Sequence, residues 1–271
     1  ETTIPTSLFY KVPWWVNLQD AKRRFNPLRN FLIRRYLRHL KQVFAVSAAL
    51  KQALTDNGIV GNVSVVHNGI AAETFTMPFD VAAMRARLGL EGAKVLLFVG
   101  RFTPDNGRDA ALRILARTLV AVPNTKLLVV GFDPTVQPEP AMERLIDELG
   151  VREHVVYIAS SPYAEIHRYY QLAECVLVPS IIFDSFPTVN LEAMAARKPV
   201  VATCFGGSRE AVVDSVTGYI VNPLDTEASA ARVIELLSDS AHTATLGGAG
   251  YARVLQEFSL EQQLKEYTRW Y

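Results

Sequence analysis

Two carboxylates eight positions apart, Asp184 and Glu192, are the residues in this chain best spaced for chemistry. Asp184 falls in a loop behind an apolar run, Val176–Val178, that stops at Pro179 and Ser180. Glu192 falls about one turn into a helical pattern over Val189–Arg197. A loop acid and a first-turn acid can reach one pocket. Such a pair can bind sugar hydroxyls, hold a metal, or act as acid and base. With no His or Cys close by in sequence, the metal is the poorest of these. Two acids near a helix start are also favoured by the helix dipole alone.

Two further clusters fall at the ends of apolar runs. Gly100-Arg101-Phe102-Thr103-Pro104-Asp105-Asn106-Gly107 follows the run Val95–Val99. A glycine at a strand end lets a ligand approach the backbone, free amides at the next helix start attract phosphate, and Arg101 adds a charged fork. The turn is neither G-x-G-x-x-G nor a Gly-Lys-Ser/Thr loop, so a dinucleotide oxidoreductase reading has only strand–helix rhythm behind it. Gly206-Gly207-Ser208-Arg209-Glu210 follows Val200–Ala202; Ser208 is suited to cap a helix that carries Glu210 in its first turn.

The elements that position these clusters are legible as an alternation. Strands are predicted at Val95–Val99, Lys126–Val130, Val155–Ile158, Cys175–Val178, Val200–Ala202 and Tyr219–Val221. Helices are predicted between them at Arg108–Val122, Glu139–Leu149, Tyr163–Leu172, Val189–Arg197 and Ser208–Asp214. This is the grammar of a doubly wound parallel sheet, whose ligands bind beyond the carboxyl ends of the strands. Upstream, Phe44–Val46 and Val63–Val66 read as short strands flanking a helix Ala48–Leu54, with Ser47 as N-cap and Asn57–Gly58 as its stop. Residues 71–92 read as a linker with one short helix near Val81–Leu88. Three helices close the chain: Thr226–Leu237, Ala241–Glu257 and Leu260–Trp270.

Composition excludes several classes. The 271 residues, 49% hydrophobic, suffice for a sizeable core in one or two α/β domains. A formal net charge of +1 gives no general attraction to nucleic acid. No apolar run reaches the roughly 18 residues of a spanning helix, and Glu1–Tyr10 lacks the pattern of a secretory signal. Cys175 and Cys204 read as buried small residues, which fits a reducing, cytoplasmic setting. The helical stretch 22–41 carries Lys22, Arg23, Arg24, Arg29, Arg34, Arg35, Arg38 and Lys41, with no acid between Asp20 and Asp56. It is a solvated face or a peripheral contact for anionic lipid headgroups or a negatively charged acceptor.

The stretch Asp184-Ser-Phe-Pro-Thr-Val-Asn-Leu-Glu192-Ala-Met-Ala resembles the E-x7-E motif of retaining glycosyltransferases of the GT-B fold, family 4 (glycosyl transferases group 1). Other segments resemble the family's motifs in the family's order. They are Ala45-Val-Ser47 with Lys51, Val65-Val-His67-Asn-Gly69-Ile70, Val99-Gly100-Arg101 with Pro104-Asp-Asn-Gly107, Pro199-Val-Val-Ala-Thr203 with Gly206-Gly207 and Glu210, and Val216-Thr-Gly-Tyr219. The resemblance implies an α/β GT-B protein of hexosyltransferase type. It would move a sugar from a UDP- or GDP-linked donor to a glycan or lipid-linked acceptor, without a metal or other cofactor. It gives Arg101 the donor diphosphate, Asp184 the donor sugar and Glu192 the ribose hydroxyls. Amides around Phe186, Thr188 and Val189 would cradle the distal phosphate. Gly100, Asn106, Gly206, Gly207 and Glu210 complete the expected donor contacts.

The resemblance also implies a division into a partial N-terminal, acceptor-side domain with linker (1–88), a nucleotide-sugar domain (89–258) and a final helix (259–271) crossing back to the first. A first domain of this kind would begin upstream of Glu1. This sequence departs from the family pattern at Asp184, where the family carries Glu, and at Asn106, where it carries a diphosphate-binding Lys. Arg108 is the nearest cation that could replace that Lys. A nucleotide-sugar-binding module without turnover therefore stands beside the enzyme reading.

Overall fold

The computed structural model describes residues 40–56, 62–133 and 139–270, together with Phe31, Arg35 and Tyr36. The basic stretch 22–41 lies almost wholly outside the described residues, as do the Asn57–Gly58 stop and Tyr271.

Two parallel sheets form. The small one pairs β1 (Val43–Ala45) with β2 (Val63–Val65), linked by α1 (Ala48–Asp56), around a cluster of its own built on Ala45, Leu54 and Val63. The large one contains β3 (Lys94–Val99), β4 (Thr125–Val130), β5 (Val155–Ile158), β6 (Cys175–Val178), β7 (Val200–Thr203) and β8 (Gly218–Val221). Its order is β5-β4-β3-β6-β7-β8, all parallel. The chain winds outward from β3 in one direction and then, from β6, in the other. The order thus reverses between β3 and β6, and at such a reversal neighbouring loops diverge and leave a crevice.

Both faces of the large sheet are covered, which is why its strands read as unbroken apolar runs rather than alternations. Successive side chains point to opposite faces. Val95, Leu97, Leu128, Val130, Val176 and Ala202 enter one core cluster; Leu96, Phe98, Leu127, Val129, Leu177 and Val201 enter the other. The covering helices are α3 (Arg108–Ala121), α4 (Pro140–Leu149), α5 (Tyr163–Leu172), α6 (Thr188–Ala195), α7 (Ser208–Ala211), α8 (Thr226–Ser238) and α9 (Ser240–Glu257). Local chemistry sets their ends. Pro140 stands at the first helical position of α4 and Gly150 closes it in the left-handed region. Asp225 and Asp239 accept first-turn amides of α8 and α9.

Two expectations change. Residues 71–92, expected as a linker, contain a 3-10 turn (Ala72–Thr76) and helix α2 (Val81–Arg87). Ala72, Phe75, Met84 and Leu90 are buried in the main core, so this stretch is packed rather than spanning a gap. The helix expected over Ser208–Asp214 is a single turn, because the β-branched pair behind Ala211 departs from helical geometry at an extended Val212. The last helix, α10 (Leu260–Thr268), begins where Ser259 bridges Ile70. Its Tyr267 and the following Trp270 meet the ring of Phe44 on β1 edge-on, at 5.1 and 6.0 Å between centroids.

Candidate functional site

The turn after β3 and the loop after β6 meet at the crevice between those strands. Gly107 makes their contact. Its φ is 86°, and a Cβ there would lie 2.0 Å from the carbonyl oxygen of Pro179. The Ile181 amide donates to the Asp105 carbonyl at 3.1 Å across the same seam. Only glycine supplies both the left-handed backbone and the missing methyl. Within the turn, the Asn106 side-chain amide donates to the Arg101 carbonyl at 2.8 Å, bracing the backbone. The Arg101 side chain is exposed and has no ion-pair partner among the described residues.

The loop after β6 delivers Asp184 and then starts α6. The residue before that helix is Pro187, which offers no side-chain cap, and the amides of Thr188 and Val189 have no hydrogen-bond partner among the described residues. Orphan first-turn amides with an aligned dipole form an anion site. The Phe186 amide donates to Asp184 Oδ1 at 3.3 Å and its ring is buried. Burial pushes the Asp184 carboxyl above the usual carboxylate range, and the Phe186 amide opposes that shift.

Glu192 is only 7% exposed. Burial raises its pKa as well, opposed by hydrogen bonds from the hydroxyls of Tyr170 and Thr188. Tyr170, wholly buried in α5, donates to Glu192 Oε2 at 2.5 Å. Tyr170 was not singled out by sequence reasoning. It sits in an ordinary amphipathic pattern, and nothing there separates a tyrosine that orients a carboxylate from one that fills the core.

The glycine pair after β7 packs against this loop. A Cβ on Gly206 would lie 2.0 Å from the Asp184 carbonyl oxygen, and one on Gly207 would lie 2.0 Å from that of Ser185. The Gly207 amide donates to the Asp184 carbonyl at 2.8 Å. Both glycines therefore act on the loop backbone. Asn190 and Ser208, both fully buried, join α6 to α7 through a 3.1 Å hydrogen bond.

Gly100, Arg101, Asp184, Glu192, Gly206 and Gly207 thus gather at the carboxyl ends of β3, β6 and β7. Two expectations take another form. Arg108, expected as a substitute cation, is 2% exposed; its guanidinium donates to Asp109 at 2.8 Å and to Glu139 at 3.0 Å, which withdraws it as a replacement for the cation missing at Asn106. Glu210 has both carboxylate oxygens engaged elsewhere, by the amides of Ala48 and Ala49 at 2.7 and 2.9 Å. His67, left unassigned by its sequence context, contacts the same carboxylate at 2.9 Å and stacks near Phe186, with centroids 5.0 Å apart.

Comparison with known proteins agrees with this architecture. The chain is 33% identical over 189 residues to a GDP-mannose-dependent alpha-(1-6)-phosphatidylinositol monomannoside mannosyltransferase of Mycolicibacterium smegmatis, covering 67% of this chain and 49% of that protein. It is 38% identical over 186 residues to a D-inositol 3-phosphate glycosyltransferase of a Mycobacterium species, covering 67% of this chain and 41% of that one. The chain therefore spans about half or less of the curated relatives it matches. Among solved structures it is similar to Anabaena HepE in complex with UDP-glucose, with a TM-score of 0.82 at 23% identity over 92% of this chain and 68% of that one. It is also similar to sucrose-phosphate synthase from Thermosynechococcus elongatus, with a TM-score of 0.79 at 26% identity over 92% and 62%. The fold is α/β of the GT-B type. With residues 80–253 matching it, the chain belongs to the glycosyl transferases group 1 family.

Proposed function

We propose that this chain is the donor-binding part of a retaining glycosyltransferase that takes its sugar from a UDP- or GDP-linked donor and passes it to a glycan or lipid-linked acceptor. The observation that carries the reading is the uncapped start of α6, whose Thr188 and Val189 amides have no partner among the described residues, with the exposed Arg101 at the neighbouring strand end. Such a group of donors suits a diphosphate. A half-buried carboxyl at Asp184 and a buried one at Glu192 suit sugar and ribose hydroxyls, which need acceptors in a place short of water. The named relatives, one GDP-mannose-dependent and one bound to UDP-glucose, support a nucleotide-sugar donor.

In the transfer, the bond between the anomeric carbon and the donor diphosphate breaks as the acceptor oxygen bonds to that carbon on the same face. The acceptor proton passes to the departing diphosphate. Negative charge builds on the leaving group, so donors fixed in advance act where they count most. One such donor is worth about 2.7–4 kcal/mol in other enzymes. Arg101 and the α6 amides would hold that charge without a metal.

Calorimetric titration with UDP and with GDP tests the donor half. Heat with one of them at micromolar to millimolar ligand supports the reading, and silence with both removes it. The engagement of Arg108 by Asp109 and Glu139 favours a second reading, a nucleotide-sugar-binding module without turnover, because Arg108 then does not replace the cation missing at Asn106. Sugar transfer by the full-length gene product would end that alternative.

Among the described residues no helix is long and apolar enough to cross a membrane. A cytoplasmic position with peripheral contact through residues 22–41 belongs to the same reading. Co-sedimentation with anionic vesicles, and none with neutral ones, checks it.

A further inference from the structure

The contact between Glu210 and the N-terminal segment has a geometry that simple surface packing does not produce. Glu210 lies 162 and 161 positions from the amides its two oxygens accept, Ala48 and Ala49 at 2.7 and 2.9 Å. Those amides open α1, whose next amide, Leu50, is taken by the local cap Ser47 at 3.0 Å. A carboxylate bridging two first-turn amides gains from charge-assisted hydrogen bonding and from the helix dipole together. The side chain is 23% exposed, and His67 adds a 2.9 Å contact from the segment behind β2.

Glu210 is itself anchored. Arg253 on α9 donates to the Glu210 carbonyl at 2.9 Å and to that of Ala211 at 3.0 Å. Three residues earlier, Gly207 sits between the Ser185 backbone and the Ser47 side chain. A Cβ there would lie 2.0 Å from the Ser185 carbonyl oxygen and 3.2 Å from the Ser47 Cβ. The Gly207 amide also holds the Asp184 carbonyl. One short turn, 207–210, therefore grips the N-terminal segment at one end and the Asp184 loop at the other.

We propose that Glu210 is a positioning residue that locks residues 43–56 and His67 onto the loop carrying Asp184, so that seating of these residues and order in the loop are a single cooperative event. This goes beyond donor binding and stands whether or not a nucleotide sugar is the ligand.

Hydrogen exchange on the full chain, without ligand, tests it. Glu210→Gln removes the charge and one of the two acceptor oxygens. Exchange at Ala48 and Ala49 is expected to accelerate on the order of 10-fold or more, the loss typical of a charge-assisted hydrogen bond. The diagnostic sites are the amides of Phe186 and Gly207, whose acceptors both belong to Asp184 and are untouched by the substitution. They are expected to accelerate as well. Ser47→Ala is the control: it uncaps α1 locally, should speed Leu50, and should leave Phe186 and Gly207 unchanged. If Glu210→Gln does not fold, Glu210→Asp keeps the charge on an arm one methylene shorter and is expected to give the same pattern at smaller amplitude. Acceleration confined to Ala48–Ala49 overturns the proposal, and so does equal loosening of the loop by Ser47→Ala.

Discussion

Replacing Gly107 by alanine strikes the seam on which the crevice depends, and its cost can be worked out in two parts. The backbone part comes from φ of 86°, where a residue with a Cβ is disfavoured by about 1–2 kcal/mol. The steric part comes from a Cβ 2.0 Å from the Pro179 carbonyl oxygen. An ordinary C···O contact is about 3.3 Å, so one loop must recede by roughly 1.3 Å. Forced overpacking of this kind costs about 1–3 kcal/mol. The sum, about 2–5 kcal/mol, corresponds to a loss of about 4–20 °C in Tm for a domain of this size. Gly92→Ala isolates the backbone part, since Gly92 has φ of 66° and nothing within 4 Å of an added Cβ. Melting curves and nucleotide titration of both variants separate the contributions. Gly107→Ala is expected to weaken UDP or GDP binding about 10–100-fold, because displacement of about 1 Å is that costly to a preorganised site. Gly92→Ala should leave binding intact. If Gly107→Ala melts and binds no worse than Gly92→Ala, the two loops do not form the site together.

Arg101→Ala should weaken a nucleoside diphosphate about 10–100-fold, the range for a hydrogen bond to a charged group, and barely affect the nucleoside; equal losses in calorimetry would contradict a role at the diphosphate. Tyr170→Phe removes the hydroxyl that holds Glu192 Oε2. It should shrink the preference for a nucleoside diphosphate over its 2′,3′-dideoxy analogue, and an unchanged preference would detach Glu192 from the ribose. Asp184 and Glu192 both have pKa values raised by burial in the folded state. A carboxyl so raised adds stability that is full below its unfolded pKa and is lost as pH climbs through the folded pKa. Asp184→Asn should therefore flatten the decline in Tm as pH climbs above the ordinary Asp value and raise stability at neutral pH; an unaltered slope would refute the assignment.

The large sheet was legible because strands buried on both faces advertise themselves as runs such as Val95–Val99 and Cys175–Val178, and the winding rules leave few arrangements for them. Tyr163–Leu172 matched to the residue because Pro162 and Ala173 bound it in sequence. Strand order and the meeting of the Gly107 turn with Pro179 were not legible, since period and propensity say nothing about which strand ends are neighbours. The site residues were found as types at strand ends, while their division of labour came from contacts over long separations. Glu210 and Arg101 look alike as charged residues in glycine-bearing turns, yet one is bound to amides 162 and 161 residues away and the other is exposed. Arg108 was misjudged for the same reason: a cation in the first turn of a helix can face a ligand or, as here, turn into Asp109 and Glu139. Linker composition misled at 71–92, where Pro78 and Gly92 flank residues that the core needs.

The binding place of a diphosphate is the decisive observable. A crystal structure of the full-length protein with UDP or GDP should place both phosphates at the switch between β3 and β6, within hydrogen-bonding distance of the Thr188 and Val189 amides and the Arg101 guanidinium. Phosphates bound at any other strand ends, with those amides still open, would contradict it.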